Sequence, residues 1–172
     1  MSVLILAVAS LSSLAAASPS PDVVPERIVS LAPSITDLLF ALEVGERVVG
    51  VTDWCVPPPE AAGPARIGGH VDPNLEAVLA LRPDLVVVEA ANAETADQLT
   101  RLGLTVCVVE HRHVKGIVAS VMLVGDACGI SERAAVLRKE IGDRLAAVSR
   151  DAATARVPGS CSWWAAKPPP GV

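Results

Sequence analysis

The sequence has very few aromatic residues, with three tryptophans, one phenylalanine and no tyrosine among 172 residues. Proteins that stack nucleic-acid bases need aromatic side chains in number, so this class is disfavoured. Basic residues are also scarce, because 14 Lys and Arg stand against 19 Asp and Glu and give a formal net charge of −5. No basic run is long enough to follow a phosphate backbone, and we therefore expect no nucleic-acid partner.

Motifs for catalysis and metal binding are missing as well. The four cysteines contain no C-x-x-C pair and indicate neither a zinc site nor a disulfide-dense scaffold, although a disulfide between two of them is left open. None of the patterns G-x-S-x-G, H-E-x-x-H, G-x-x-x-x-G-K and G-x-G-x-x-G follows a predicted strand. The sequence therefore predicts no catalytic residues, no metal site and no resident cofactor.

The amino-terminal region is apolar and then rich in small residues. Residues 1–18, MSVLILAVASLSSLAAAS, end in small side chains just before Pro19 and Pro21, which predicts a signal peptide over 1–18 and a flexible leader over 19–26. A usual signal peptide has Lys or Arg before the apolar stretch, and this one has none. The stretch is also shorter than the roughly 20 strongly apolar residues of a membrane span. We expect export to the periplasm or another extracytoplasmic compartment.

The chain from residue 27 to residue 110 alternates between two patterns. Continuous apolar runs predict strands at 27–31, 48–51, 85–88 and 105–109, and segments with helical spacing lie between them. Strands without polar alternation, separated by helices, are typical of a parallel sheet that is covered on both faces. We therefore predict an α/β fold, a Rossmann-like lobe with a parallel sheet flanked by helices.

Local signals mark where the helices of this lobe begin and end. Ser34, with Asp37 three residues later, predicts a helix start in which Ser34 is the cap. Asp72 and Pro73 predict a second helix with Asp72 as the N-cap and Pro73 in the first helical position. The segment 52–71 between them is rich in Pro and Gly, and a loop of that length is often functional.

Beyond residue 114 the pattern becomes purely helical. Apolar residues at intervals of three and four predict one helix to residue 128 and a second from Ser131 to about residue 155, about 36 Å long at 1.5 Å per residue. The last residues, 157–172, hold two tryptophans and four prolines without any period and predict an irregular tail.

The order of these units resembles a known family. Three runs carry the resemblance: RIVSLAPSITDLLFALEVGERVVGVTDW, IGGHVDPNLEAVLALRPDLVVVEA and QLTRLGLTVCVVE. They resemble the N-terminal lobe of the cobalamin-type periplasmic substrate-binding proteins of ABC importers. Members of this group have two lobes joined by one rigid helix, and they also bind haem, iron–siderophores and, in sister branches, bare metal ions.

The resemblance implies a domain organisation and a function. Residues 27–130 would be the N-terminal ligand-binding lobe and 131–156 the interlobe helix, with the second lobe missing from this sequence. The implied function is capture of cobalamin or a related corrinoid, a small metal-chelate ligand, and its delivery to the membrane permease. Three alternatives stay open: a haem or iron–siderophore binder of the same family, a non-functional truncated fragment, and a small α/β enzyme.

The resemblance also places a set of residues around the ligand cleft. These are Pro33, Ser34, Asp53, Trp54, Gly69, His70, Val71 and the stretch from Glu89 to Asn92, with Asn92 among the ligand-binding residues. Trp54 stands where family members carry an aromatic ring against the corrin; the alternative is that it only plugs the long loop onto the lobe. His70 either approaches the macrocycle or is an ordinary loop histidine. His111 and His113 are expected in a solvated turn, and capping alone is expected to explain Ser34.

Two further surfaces are implied. Glu76, in the Asn-Leu-Glu motif, corresponds to the glutamate with which the family's lobe contacts arginines of the permease; the alternative is an acidic residue that only favours its helix N-terminus. The long helix carries Leu137, Ile141 and Leu145 along one stripe, and an uncovered apolar stripe of this kind favours dimers.

Overall fold

Five parallel strands form the sheet at the centre of the structure, a computed structural model that describes residues 24–59 and 63–154. The strands are β1 (Ile28–Ser30), β2 (Val48–Val51), β3 (Ala65–Arg66), β4 (Leu85–Glu89) and β5 (Val106–Val109). They lie in the order β3-β2-β1-β4-β5, and every pairing is parallel. The strand order reverses between β1 and β4, the position where open α/β sheets place their ligand crevices.

Helices cover both faces of this sheet. They are α1 (Pro33–Ala41), α2 (Leu75–Ala80), α3 (Ala93–Arg101), α4 (Val114–Ala127) and α5 (Ser131–Thr154), with single 3-10 turns at Gly45–Arg47 and Ala90–Asn92. The predicted α/β fold with a parallel sheet between helices is confirmed.

The sheet separates two apolar cores, and β4 shows why its sequence is apolar throughout. Leu85 and Val87 point into a core shared with α1, α4 and α5, whereas Val86 and Val88 point into a core shared with α2 and α3. All four side chains are buried. A strand that alternates between two covered faces has no position left for a polar side chain.

The predicted helix caps were wrong at two positions. α1 begins at Pro33 after Ala32, which forms no side-chain cap, so Ser34 is not the cap. α2 begins at Leu75, and the Asn74 side chain accepts a hydrogen bond from the backbone N–H of Ala77 at 3.0 Å. Asp72 and Pro73 precede this helix because Pro73 bridges Gly68 in an extended segment and the N–H of Asn74 donates to the carbonyl of Ile67.

One strand was not predicted. β3, Ala65–Arg66, lies inside the segment that the sequence presented as a loop, and it pairs with Gly50 and Val51 of β2. Both of its residues are exposed. Two exposed residues contain no apolar run, so the edge strand left no pattern in the sequence.

Helices α4 and α5 meet at a close, small-residue contact. Gly129, with a φ of 70°, ends α4 in the left-handed region that favours glycine. Next to this turn, a side chain at Gly125 would overlap the Cβ of Ala134. The two helices therefore pack closely because neither residue has a side chain larger than a methyl group.

Helix α5 has 24 residues and extends past the core. Leu137 and Ile141 pack against the core and are half-buried, so the face predicted as uncovered is partly covered at these two positions. Leu145 and Val148 continue the same stripe, and both are exposed. Among the residues that the structure describes, no helix combines the length and the apolar character needed to cross a membrane. The predicted signal peptide (1–18), most of the leader and the tail (157–172) lie outside the described residues.

The cysteines of the described region are buried free thiols. They are Cys55, Cys107 and Cys128, and Cys161 lies outside the described residues. Burial raises the pKa of Cys107 to about 12, with a smaller contribution from Cys128 beside it. Burial also raises the pKa of Cys128 to about 11. Both side chains therefore act as small apolar core residues at neutral pH.

Candidate functional site

The loops that follow the five strands lie at one edge of the sheet, because all the strands are parallel. This edge carries the start of α1 after β1, the loop with Trp54 after β2, and the loop with His70 after β3. Glu89 ends β4, and His111 follows β5. Residues far apart in the sequence therefore meet at this edge.

A shallow depression of about 500 Å³ lies between the first three of these loops. Its lining consists of Pro33, Trp54, Gly69, His70, Val71 and Asp72. The Trp54 residue is 73% exposed, so the alternative in which it plugs the loop onto the lobe is wrong. An exposed indole beside an exposed valine gives this depression an apolar wall that faces solvent.

His70 is held in place by three contacts, one with the residue after β1 and two with the end of β4 and the turn that follows it. Its Nδ1 lies 2.7 Å from the carbonyl of Leu31, and because a carbonyl only accepts, Nδ1 is the donor. The side-chain amide of Asn92 donates to the His70 carbonyl at 3.0 Å. The Nε2 of His70 lies 3.6 Å from Oε2 of Glu89. His70 is thus a positioned side chain rather than an ordinary mobile loop residue.

Glu89 connects His70 to a second polar cluster. Ser34 Oγ donates to Glu89 Oε1 at 2.7 Å and lies 3.0 Å from Nδ1 of His111. The hydroxyl hydrogen is used on Glu89, so His111 Nδ1 donates to Ser34 Oγ. The His111 side chain is only 9% exposed, and its buried Nε2 has no hydrogen-bond partner in the described part of the chain. The expectation that His111 lies in a solvated turn was wrong, as was the expectation that Ser34 only caps α1.

This cluster does not have the geometry of a serine hydrolase. A relay from a carboxylate through histidine to serine uses opposite nitrogens of the imidazole ring. Here Ser34 and Glu89 both face the same nitrogen, His111 Nδ1, at 3.0 and 3.5 Å. The Ser34 hydroxyl donates to Glu89, so its proton is not directed to a histidine nitrogen as this relay requires. The arrangement positions side chains and argues against acyl transfer.

A groove of about 460 Å³ adjoins this cluster on the side of α1, α4 and α5. Its apolar lining comes from Leu38, Ala41, Ile117, Val121, Leu137 and Ile141. Glu110 and Arg112 add polar side chains to this lining, and they form an ion pair with 2.8 Å between Arg112 Nη2 and Glu110 Oε2. Hydrogen bonds from Arg112 lower the pKa of Glu110 to about 2, so this pair keeps its charges at neutral pH.

The structure brings most of the predicted cleft residues together. Five of them line the depression, namely Pro33, Trp54, Gly69, His70 and Val71, and Asn92 joins them through its hydrogen bond to His70. Ser34 lies beside them in the Glu89 cluster and lines the groove. Asp53 adjoins Trp54, and its backbone N–H donates to Gly68, but it does not line the depression. Glu76 is exposed on the first turn of α2 and lines neither cavity. Their ligand and docking roles stay predictions.

Sequence reasoning missed the central role of Glu89 and the partnership of Ser34 with His111. One signal could have indicated that Glu89, Ser34 and His111 lie close together, because each of these residues follows the carboxyl end of a predicted strand. Within the described ranges, no group of three or more His, Cys, Asp and Glu side chains is placed to hold a metal ion.

Comparison with known proteins agrees with this architecture. The family model described as "Periplasmic binding protein" matches residues 28–167. An uncharacterized ABC transporter substrate-binding lipoprotein of Bacillus subtilis, YvrC, is 33% identical over 135 residues, which are 76% of this chain and 43% of that protein. A vitamin B12-binding protein of Pectobacterium atrosepticum is 31% identical over 99 residues, or 56% of this chain and 36% of that protein.

Two solved structures have a similar fold. The periplasmic vitamin B12 binding protein BtuF of Vibrio cholerae aligns with a TM-score of 0.69 and 26% identity over 76% of this chain and 52% of that one. The periplasmic heme-binding protein RhuT from Roseiflexus sp. RS-1 aligns with a TM-score of 0.65 and 32% identity over 71% of this chain and 48% of that one. The chain spans about half the length of these solved relatives, and less than half of the two curated ones. The resemblance found in the sequence is confirmed, and the chain belongs to the periplasmic binding protein family.

Proposed function

We propose that this chain is one lobe of the solute-binding component of an ABC importer, which captures cobalamin or a related corrinoid outside the cytoplasmic membrane. The observation that carries the proposal is the exposed indole of Trp54, which lies beside His70 at the carboxyl edge of a parallel sheet. A large flat ligand is held well by apolar and aromatic area, and this edge presents both to solvent. Relatives described as vitamin B12-binding proteins and as a substrate-binding lipoprotein support the ligand class and the extracytoplasmic location.

The same edge supports binding rather than catalysis. Ser34 donates to Glu89 and accepts from His111, which is not the order of a relay from serine through histidine to a carboxylate. The proposed protein therefore delivers its ligand unchanged to the permease.

Titration with three ligands tests this function. Purified chain is titrated with cyanocobalamin, haemin and a ferric siderophore, and the visible spectrum of each ligand reports binding. Saturable binding of cyanocobalamin in preference to the other two is expected. Preference for haemin would instead support the second candidate, which is favoured by the heme-binding relative RhuT and by His70 in the depression. Binding of none of the three would contradict the proposal.

The affinity of this lobe by itself is expected to be weaker than that of a two-lobed receptor. The described residues form one lobe, so the ligand meets one rim of the cleft. Loss of half the contact area removes several kcal/mol, and each 1.4 kcal/mol changes Kd about tenfold. The titrations therefore need protein and ligand concentrations well above those used for complete receptors.

We propose Glu76 as the residue through which this lobe contacts the permease. Glu76→Ala should weaken binding of the lobe to its ABC permease in nanodiscs, measured by pull-down, and leave the affinity for cyanocobalamin unchanged. Glu94→Ala is the matched control, because Glu94 is also an exposed acidic residue in the first turn of a helix. Both changes remove the same favourable helix-dipole interaction, about 0.3 to 1 kcal/mol, so stability should fall equally. Equal loss of permease binding in the two variants would assign Glu76 a structural role only.

We also propose that two copies associate through the end of α5. Leu145 and Val148 project from this helix beyond the core and are exposed. An exposed apolar stripe favours burial against a second copy. Sizing chromatography at two concentrations should show a dimer at the higher one, and Leu145→Ser should abolish it; a clean monomer at both concentrations would contradict the proposal.

A further inference from the structure

Trp54 is exposed, yet the backbone on both sides of it is tightly held. Arg66, on the edge strand β3, reaches back over the end of β2 to this loop. Its Nη1 donates to the carbonyl of Thr52 at 2.8 Å and to the carbonyl of Cys55 at 2.7 Å, with a longer contact of 3.4 Å to the carbonyl of Asp53. The two short bonds use both hydrogens of Nη1, and they fix the residues that flank Trp54.

Further contacts hold the same loop from inside the lobe. The Cys55 side chain is buried, and its Sγ lies 3.1 Å from the hydroxyl oxygens of both Thr36 and Thr52. The Asp53 N–H donates to the Gly68 carbonyl at 2.9 Å. The loop is therefore held by the buried Cys55 side chain as well as by Arg66, while the Trp54 side chain is exposed.

We infer that Arg66 is the positioning residue that holds Trp54 in its ligand-facing orientation; its effect on ligand affinity rests on the function proposed above. An aromatic side chain on a rigid loop binds with a smaller loss of conformational freedom than one on a mobile loop. Without Arg66, the carbonyls of Thr52 and Cys55 form hydrogen bonds with water instead, and the Trp54 loop becomes more mobile. The guanidinium suits this role because the two hydrogens of Nη1 lie in a rigid plane at a fixed angle, whereas the three donors of a lysine ammonium rotate on a flexible stem.

The first experiment measures the motion of Trp54 and needs no ligand. In a W163F/W164F background, Trp54 is the sole tryptophan of the chain. Time-resolved fluorescence anisotropy should show that Arg66→Gln adds a fast, nanosecond depolarisation of Trp54, and that Arg66→Lys gives an intermediate change. Arg101→Gln is the matched control, since Arg101 is an exposed arginine at the end of α3, and its removal changes the charge equally.

Far-UV circular dichroism should be the same for all these variants, which shows that they fold. Unchanged anisotropy of Trp54 in both Arg66 variants would overturn the inference. An equal increase in motion with Arg101→Gln would also overturn it, because the effect would then follow from charge alone. If Arg66→Gln fails to fold, Arg66→Lys still decides the question.

The second experiment links Arg66 to ligand binding through a double-mutant cycle. Arg66→Gln should weaken cyanocobalamin binding about tenfold in the parent chain and have no effect in a Trp54→Ala background. Equal loss in both backgrounds would mean that Arg66 acts without Trp54 and would overturn the positioning role. If Trp54→Ala itself leaves cyanocobalamin affinity unchanged, the proposed function loses its ligand contact, whereas the anisotropy result still decides whether Arg66 positions Trp54.

Discussion

Replacing Trp54 by alanine is expected to weaken cyanocobalamin binding by about 30- to 150-fold, which corresponds to about 2 to 3 kcal/mol. A tryptophan side chain buries about 150 to 250 Å² when it is covered, at about 25 cal/mol per Å². Because Trp54 is 73% exposed in the free chain, one face of the indole is available to a ligand, and a flat ligand that covers about half of this area gains about 2 to 3 kcal/mol. Titration followed by the cobalamin absorbance measures the change in Kd.

A neighbouring residue controls for damage to the loop. Val56→Ala removes an exposed apolar side chain from the same loop, and Val56 does not line the depression. This variant should bind cyanocobalamin like the parent chain, and both variants should keep the parent thermal stability. If Trp54→Ala binds normally, the depression around His70 is not the ligand contact.

The largest effect on stability is expected from Gly125→Ala. The added methyl group would overlap the Cβ of Ala134, so α4 and α5 must move apart at this contact. Inserting a methyl group into a well-packed contact costs about 1 to 3 kcal/mol, which outweighs the roughly 1 kcal/mol by which alanine favours a helix over glycine. Urea unfolding followed by circular dichroism should show a lower midpoint.

Gly142→Ala is the matched control, and it is expected to change the free energy of unfolding in the opposite direction. Gly142 is an exposed residue of α5, and a Cβ there meets no atom within 4 Å. The change should raise the free energy of unfolding by up to about 1 kcal/mol, because alanine restricts the unfolded chain and favours the helix. A urea midpoint for Gly125→Ala at or above that of the parent chain would contradict this prediction, because it would show that a methyl group fits between α4 and α5.

The sequence predicted the fold where local pattern and packing agree. The buried strands are continuous apolar runs, as β4 shows, because both faces of the sheet are covered. The edge strand β3 escaped prediction because its two exposed residues have no core to face. Asn74, and not Asp72, caps α2 because the backbone bridge between Gly68 and Pro73 holds the preceding residues outside the helix, and residue propensities do not report such a bridge.

The candidate site was predictable in its location and not in its contacts. Parallel topology alone brings Trp54 and His70 to one edge of the sheet. The hydrogen bond between Ser34 and His111 joins residues 77 positions apart, and it depends on side-chain directions that topology does not specify. A serine at a helix start and a histidine after a strand each have an ordinary local explanation, and each proved to have a distant partner instead.

The two outermost strands of the sheet, β3 and β5, differ in how much unpaired backbone they offer to another chain. Unpaired backbone N–H and C=O groups on an edge strand are a template for another chain, which leads to aggregation. β3 offers such a template over two residues only. β5, the other edge, has four residues without polar interruption, and Val108 within it is exposed. Of the two outermost strands, β5 is therefore more prone to pair with a strand of another chain and aggregate. It lies on the side of the sheet away from Trp54.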